Sequence, residues 1–163
     1  MSHFLVGVII PTHLANDEKL IQEKIDIVMG PYSENEEVEP YEDTDGKPTT
    51  YNPDSRWDWY RVGGRWDGVV SKSGKRRYSE DNGFNFEKGH EEVKNNMCRV
   101  RELPVKSVPF AIVTPDGEWI EKGEMGWWGM TKGEMTERKW HNQVMKILKK
   151  YQDDYIVGLD CHI

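Results

Sequence analysis

Phe4-Leu5-Val6-Gly7-Val8-Ile9-Ile10 is an uninterrupted apolar run that ends at Pro11. A strand with one wet face alternates apolar and polar residues, whereas a continuous run of this length asks for apolar cover on both faces. The chain therefore builds around a central strand that begins almost at its first residue. Tyr155-Ile156-Val157-Gly158-Leu159-Asp160-Cys161 supplies a second strand near the other end.

The intervening elements follow from periodicity and caps. Asn16 is placed to cap a helix, with Asp17 and Glu18 in the first turn, where they complement the helix dipole. Leu20, Ile21, Ile25, Val28 and Met29 form its apolar stripe, and Gly30-Pro31 stops it. A second helix starts after Thr136, with Met135 and Trp140 at the spacing of a hydrophobic staple. Trp140, Val144, Ile147, Leu148 and Tyr151 make its buried face. Val108 to Thr114 reads as a strand that turns through Pro115-Asp116-Gly117 into Glu118-Trp119-Ile120-Glu121. Trp57 to Tyr60 and Trp66 to Val70 read as strand segments on either side of a Gly63-Gly64 bend, with Ser71 to Lys75 a turn. Glu91 to Arg101 fits a helix with Val93, Met97 and Val100 inward.

This order predicts one α+β domain over residues 1–163 with a ferredoxin-like, split βαβ antiparallel sheet, two packed helices and long insertions. The first and last strands then lie side by side and antiparallel, which brings His162 beside His3. Asp160 and His162 share one face, and Cys161 points to the other. Residues 31–55 form an insertion whose Glu34-Asn35-Glu36-Glu37-Val38-Glu39 run, with Glu42, Asp43 and Asp45, reads as a solvated acidic loop.

Composition narrows the functional classes. The net charge of −7 argues against a duplex nucleic-acid binder, which depends on clustered cations and counterion release. A local basic patch remains at Lys72 and Lys75-Arg76-Arg77. Cys98 and Cys161 are the only cysteines, with no framework spacing, which predicts reduced thiols and a cytoplasmic protein. The apolar start has neither a basic leader nor a cleavage site, and no run reaches transmembrane length, so no membrane partner is expected. The five histidines are scattered without metal-ligand spacing, so no metal or cofactor is expected.

Seven tryptophans against four phenylalanines is an unusual balance, and the tryptophans cluster. In Trp57-Asp58-Trp59-Tyr60-Arg61-Val62-Gly63-Gly64-Arg65-Trp66, guanidinium forks are available to grip phosphate and indole faces to stack on a planar base. Gly63 and Gly64 allow close backbone approach to a ligand. The same segment also reads as a bent hairpin whose tryptophans fill a core while Arg61 and Arg65 lie outside. Trp127-Trp128, between glycines, offers a second aromatic wall, although consecutive residues on a strand face opposite ways. Asp160-Cys161-His162 suggests a general base, His162, oriented by Asp160. Strand alternation separates Cys161 from both, so a local nucleophile triad does not form.

Ser55 to Trp66, Pro109 to Trp119, Glu124-Met125-Gly126-Trp127-Trp128-Gly129 and Asp160-Cys161-His162-Ile163 resemble, in the same order, a family of small proteins without assigned activity. Its members occur in bacteriophage, prophage and bacterial sequences. Pro31-Tyr32-Ser33-Glu34-Asn35 and Val38-Glu39-Pro40-Tyr41 share in the match. The resemblance implies that the tryptophan-arginine segment, the Gly-Trp-Trp-Gly knot and the Asp-Cys-His end belong to one cleft. It also implies a role in evading host defence, for which capture of a nucleotide signal is one route.

The expectation is a small binding protein for a nucleotide-like anionic ligand. Arg61 and Arg65 would hold phosphate, and Trp57, Trp59, Trp66 or Trp128 would stack on the base. The alternatives are an enzyme using His162 and Asp160 as an acid–base pair, or an inhibitor that covers a protein partner with the acidic loop and exposed tryptophans. A second copy of the chain is a further candidate partner, because a small open sheet leaves an edge to cover.

Overall fold

The computed structural model describes residues 2–77, 92–126 and 129–163. The apolar run near the start forms β1 (His3–Ile10), and the run near the end forms β10 (Tyr155–His162). They pair antiparallel over their whole length, His3 opposite His162 and Ile10 opposite Tyr155. On its other edge β1 pairs in parallel with β6 (Ala111–Val113), which turns into antiparallel β7 (Trp119–Glu121). The outer edge of β10 is shared by two short strands, β4 (Trp59–Val62) and β5 (Met97–Arg99). They meet at Gly158, whose carbonyl accepts from Gly63 N–H (3.0 Å) and whose N–H donates to the Asn96 carbonyl (2.9 Å). Two small ladders stand apart: β2 (Tyr41–Glu42) with β3 (Pro48–Thr49), and β8 (Glu124–Met125) with β9 (Thr131–Lys132).

Alternation along the central strands sends their side chains into two separate cores. Phe4, Val6, Val8 and Ile10 meet Val157, Leu159 and Cys161 under α1 (Glu18–Met29), which contributes Ile21, Ile25, Val28 and Met29. Leu5, Ile9, Cys98, Ile112 and Ile156 lie under α2 (Glu137–Lys150), which contributes Trp140, Val144 and Leu148. Each such aliphatic side chain, fully buried, stabilises the fold by about 1.5–3 kcal/mol. Gly7 and Gly158 face each other in the middle of the α2 side. A Cβ on Gly158 would stand 2.7 Å from Val70, and one on Gly7 would stand 2.8 Å from Pro109. The glycine pair thus lets Val70 and Pro109 settle directly on the sheet.

The α+β class is observed, and the first and last strands are antiparallel neighbours. The strand order differs from the ferredoxin-like expectation. β6 lies directly beside β1 and parallel to it, so the β-α-β unit is not split and the sheet is mixed. The helices also occupy opposite faces. Central strands that are apolar on both sides need both sides covered, and a ferredoxin-like layer covers only one.

Local differences have equally simple causes. Asp17, not Asn16, is the N-cap of α1, and Leu20 is 40% exposed beside the stripe rather than in it. Trp66 closes a 3₁₀ turn (Gly64–Trp66) instead of opening a strand. Glu91 lies outside the described residues. From 92 to 101 the chain runs as a 3₁₀ turn, β5 and the start of another 3₁₀ turn, because the free edge of β10 recruits Met97–Arg99 as a strand. The acidic segment 31–55 carries the β2–β3 hairpin and is tied down by buried Asn52, which donates to the carbonyls of Pro31 (2.8 Å) and Ser33 (3.0 Å).

Candidate functional site

Helix α2 packs on the apolar part of its face of the sheet, over Leu5, Ile9, Ile112 and Ile156. At the His3 end of β1 the register sets polar and aromatic residues side by side: His3 opposite His162, Trp59 opposite His162, and Arg61 opposite Asp160. Directly opposed residues on neighbouring strands share a face, so all of these stand on the α2 side.

Asp160 is fully buried, and its carboxylate is doubly held. Its Oδ1 lies 2.8 Å from His3 Nδ1, and its Oδ2 accepts the backbone N–H of Arg65 at 2.9 Å. The His162 Nδ1 lies 2.7 Å from Asp58 Oδ1, which also accepts the Trp59 backbone N–H at 2.7 Å. The two dyads touch through their rings. His3 and His162 stand edge to face with centroids 4.9 Å apart. His162 lies nearly parallel to Trp59, with centroids 5.0 Å apart and planes 13° apart. Burial pushes the His3 pKa down and outweighs the opposing pull of Asp160. A carboxylate only accepts, so the Nδ1 that faces Asp160 donates, and in the neutral ring Nε2 is the acceptor.

The glycine pair works inward. Gly63 and Gly64 have φ of +73° and +54°. A Cβ on Gly64 would sit 2.4 Å from Asp160 Oδ2, and one on Gly63 would sit 2.7 Å from Asn96 Nδ2. Their bend delivers the Arg65 N–H to Asp160 and packs the backbone on fully buried Asn96. Asn96 in turn donates to Asp67 Oδ1 (2.8 Å) and accepts from Gly68 N–H (2.8 Å).

The other expected residues divide. Arg61 is buried on β4 across from Asp160, while Arg65 is exposed on its 3₁₀ turn. Trp57 belongs to the α1-side core, where Nε1 donates to the Met29 carbonyl (3.2 Å) and the ring meets Tyr60 edge-on. Trp66 packs at the margin of the α2-side core. Trp127 and Trp128 lie outside the described residues. Asp160 and His162 are not partners: Asp160 holds His3, and Asp58 holds His162. Residues two apart on a strand are farther from each other than cross-strand neighbours, which is why the pairing crosses strands. The motif Trp57-Asp58-Trp59 contained Asp58 as a signal, overshadowed by its tryptophans. Cys161 lies fully buried in the opposite core, where burial raises its thiol well above the ordinary range, and Cys98 is pushed up to about 12 by the same cause. Neither is activated as a nucleophile.

His3 also opens onto a cleft of about 490 Å³. Trp66, Phe110 and Trp140 give it aromatic walls, and Lys106, Lys122, Glu137 and His141 give it polar groups. Glu134, then Glu137, hold the Lys122 ammonium above its usual range through direct ion pairs. Among the described residues, no group of three His, Cys, Asp or Glu side chains is placed to hold a metal ion. Among those residues, too, no helix is long and apolar enough to cross a membrane.

Comparison with protein-family models, curated proteins and solved structures finds no match to this chain.

Proposed function

We propose that the chain binds a small anionic ligand with a planar ring, of the nucleotide-like kind, in the cleft that His3 shares with Trp66. The observation that carries this reading is the double position of His3. It is a wall of the cleft and, through Asp160, part of a buried and pre-aligned polar network. Ligand sites combine a mostly apolar lining with a few fixed polar groups, and the ring surfaces here are joined by such a group. Among the described residues, Lys106 and Lys122 are the lysines in the lining of this cleft, beside the Glu137 carboxylate, and we assign them the phosphate-holding role first expected of Arg61 and Arg65. Capture of a nucleotide signal during phage infection is the biological role we attach to this binding, on the strength of the family resemblance alone.

A thermal-shift screen against mono-, di- and cyclic nucleotides tests the reading. A ligand at 100 times its dissociation constant adds about 2.7 kcal/mol of stability. Trp66→Ala and His3→Gln are expected to remove most of the shift, and absence of a shift with every nucleotide rejects the proposal.

The second dyad favours one further reading. His162, held by Asp58 and in ring contact with His3, is the acid–base candidate on that reading and acts beside His3, the one of the two that lines the cleft. On that reading the recovered nucleotide is chemically altered, and His162→Gln keeps binding but stops turnover. Recovery of intact nucleotide leaves capture as the function.

A further inference from the structure

We infer that the loop from Asp67 to Arg77 forms a second anion site, built to hold one or two phosphate groups and separate from the His3 cleft. Its groove, about 340 Å³, is lined by Ser71, Lys72, Ser73, Lys75 and Arg77 from the loop and by Lys94 from the facing turn. Four cationic side chains, Lys72, Lys75, Arg77 and Lys94, thus converge on one groove of a chain whose net charge is −7.

The loop is closed rather than loose. Gly68 has φ +81°, and a Cβ there would stand 2.4 Å from the Lys75 carbonyl, so only glycine lets the returning strand pass this close. Arg77 N–H donates to the Asp67 carbonyl (2.7 Å), and the Arg77 guanidinium makes a two-pronged bond to the Asp67 carboxylate (3.0 and 2.7 Å). Asn96 fixes that carboxylate from behind. The guanidinium is thereby oriented before any ligand arrives, which lowers the entropy lost on binding.

The remaining cations are available. Lys72 and Lys94 pair with Glu102 (3.2 Å) and Glu92 (3.3 Å), but both side chains are mostly exposed. Exposed pairs of that kind are worth about 0–1 kcal/mol, so a phosphate displaces them readily. Lys75 has no carboxylate partner among the described residues. Ser71 Oγ donates its proton to the Gly68 carbonyl (2.6 Å), which leaves the Ser73 hydroxyl, 3.1 Å from it, as the neutral donor beside the lysines. Terminal phosphates of a small molecule and the phosphodiester backbone of a single strand share this chemistry.

Calorimetric titration with tripolyphosphate, and with a short single-stranded oligonucleotide lacking terminal phosphates, tests the site and separates the two sources. Saturable binding of either supports it, and the tighter one names the source. Lys75→Ala is expected to weaken that binding about tenfold, and the Lys75→Glu, Lys94→Glu double variant to abolish it. Both variants are to be checked for an unchanged urea midpoint. The Lys75→Glu, Lys94→Glu variant is expected to keep the nucleotide thermal shift that Trp66→Ala removes, which keeps this site distinguishable from the cleft. No saturable binding at millimolar probe, or binding that survives charge reversal, overturns the inference.

Discussion

At Gly64 the backbone runs at φ +54°, and the position a Cβ would occupy is 2.4 Å from Asp160 Oδ2. At Gly117 the backbone is also left-handed, φ +89°, but a Cβ there would meet nothing within 4 Å. The pair separates conformational strain from steric displacement. Gly117→Ala pays only the left-handed penalty of about 1–2 kcal/mol. Gly64→Ala pays that and also pushes a buried carboxylate off its donors, a further loss of about 1–3 kcal/mol. We therefore expect urea denaturation to show Gly64→Ala as the more destabilised variant by at least about 1 kcal/mol, with His3 perturbed in the NMR spectrum. Equal costs would mean that the Gly64 backbone does not support Asp160. The sequence shows a glycine pair at 63–64 that allows a close approach, but not on which side that approach lies. Here the approaching groups are Asp160 and Asn96, both from distant parts of the chain.

Helix α1 poses a comparable question at its first turn. Asp17, at φ −126° and ψ 106°, accepts from the N–H groups of Lys19 (3.0 Å) and Leu20 (3.2 Å). Asp17→Ala is expected to cost about 1 kcal/mol, and Asn16→Ala less than about 0.5 kcal/mol, in the same denaturation assay. The reverse order would move the cap to Asn16. The error of one position is typical of what a sequence leaves open, because both residue types cap well and only backbone geometry separates them. Other elements were legible for physical reasons: β1 from its unbroken apolar run, α2 from Thr136 and its Trp140-Val144-Leu148 face, and the β6–β7 hairpin from Pro115-Asp116-Gly117. The stretch 92–101 was not. Val93, Met97 and Val100 have helical spacing, yet Val93 and Met97 pack on the α1 side while Cys98 and Val100 pack on the α2 side. A short edge strand between two layers imitates helical periodicity, and its ladder bonds depend on β10, which lies far along the chain. The candidate site divides in the same way. His3 beside His162 followed from the antiparallel pairing of the terminal strands, whereas Asp58 needed the register of β4 on β10.

Across the whole molecule, layers on both faces leave one polar end of the sheet enclosed, and that enclosure couples folding to pH through His3. Burial is the largest influence on the His3 ring and lowers its pKa, against the attraction of Asp160. The unfolded chain, with an ordinary histidine near 6.5, takes up this proton as pH falls, while the native state resists it. Stability contributed by neutral His3 is thus fully present above pH of about 6.5 and declines as pH drops through that value, levelling off below the native pKa. Surface carboxylates also titrate in acid, but they do so equally in a His3→Gln variant, which keeps a donor for Asp160 and cannot charge. We expect urea midpoints measured from pH 7.5 to 5.5 to fall more steeply for the wild type than for His3→Gln. A wild type that gains stability relative to the variant on acidification would mean that the attraction of Asp160 exceeds the cost of burial. The site would then be an ion pair with a positive ring facing the cleft, and anion binding there would strengthen as pH falls, rather than depend on a neutral acceptor nitrogen.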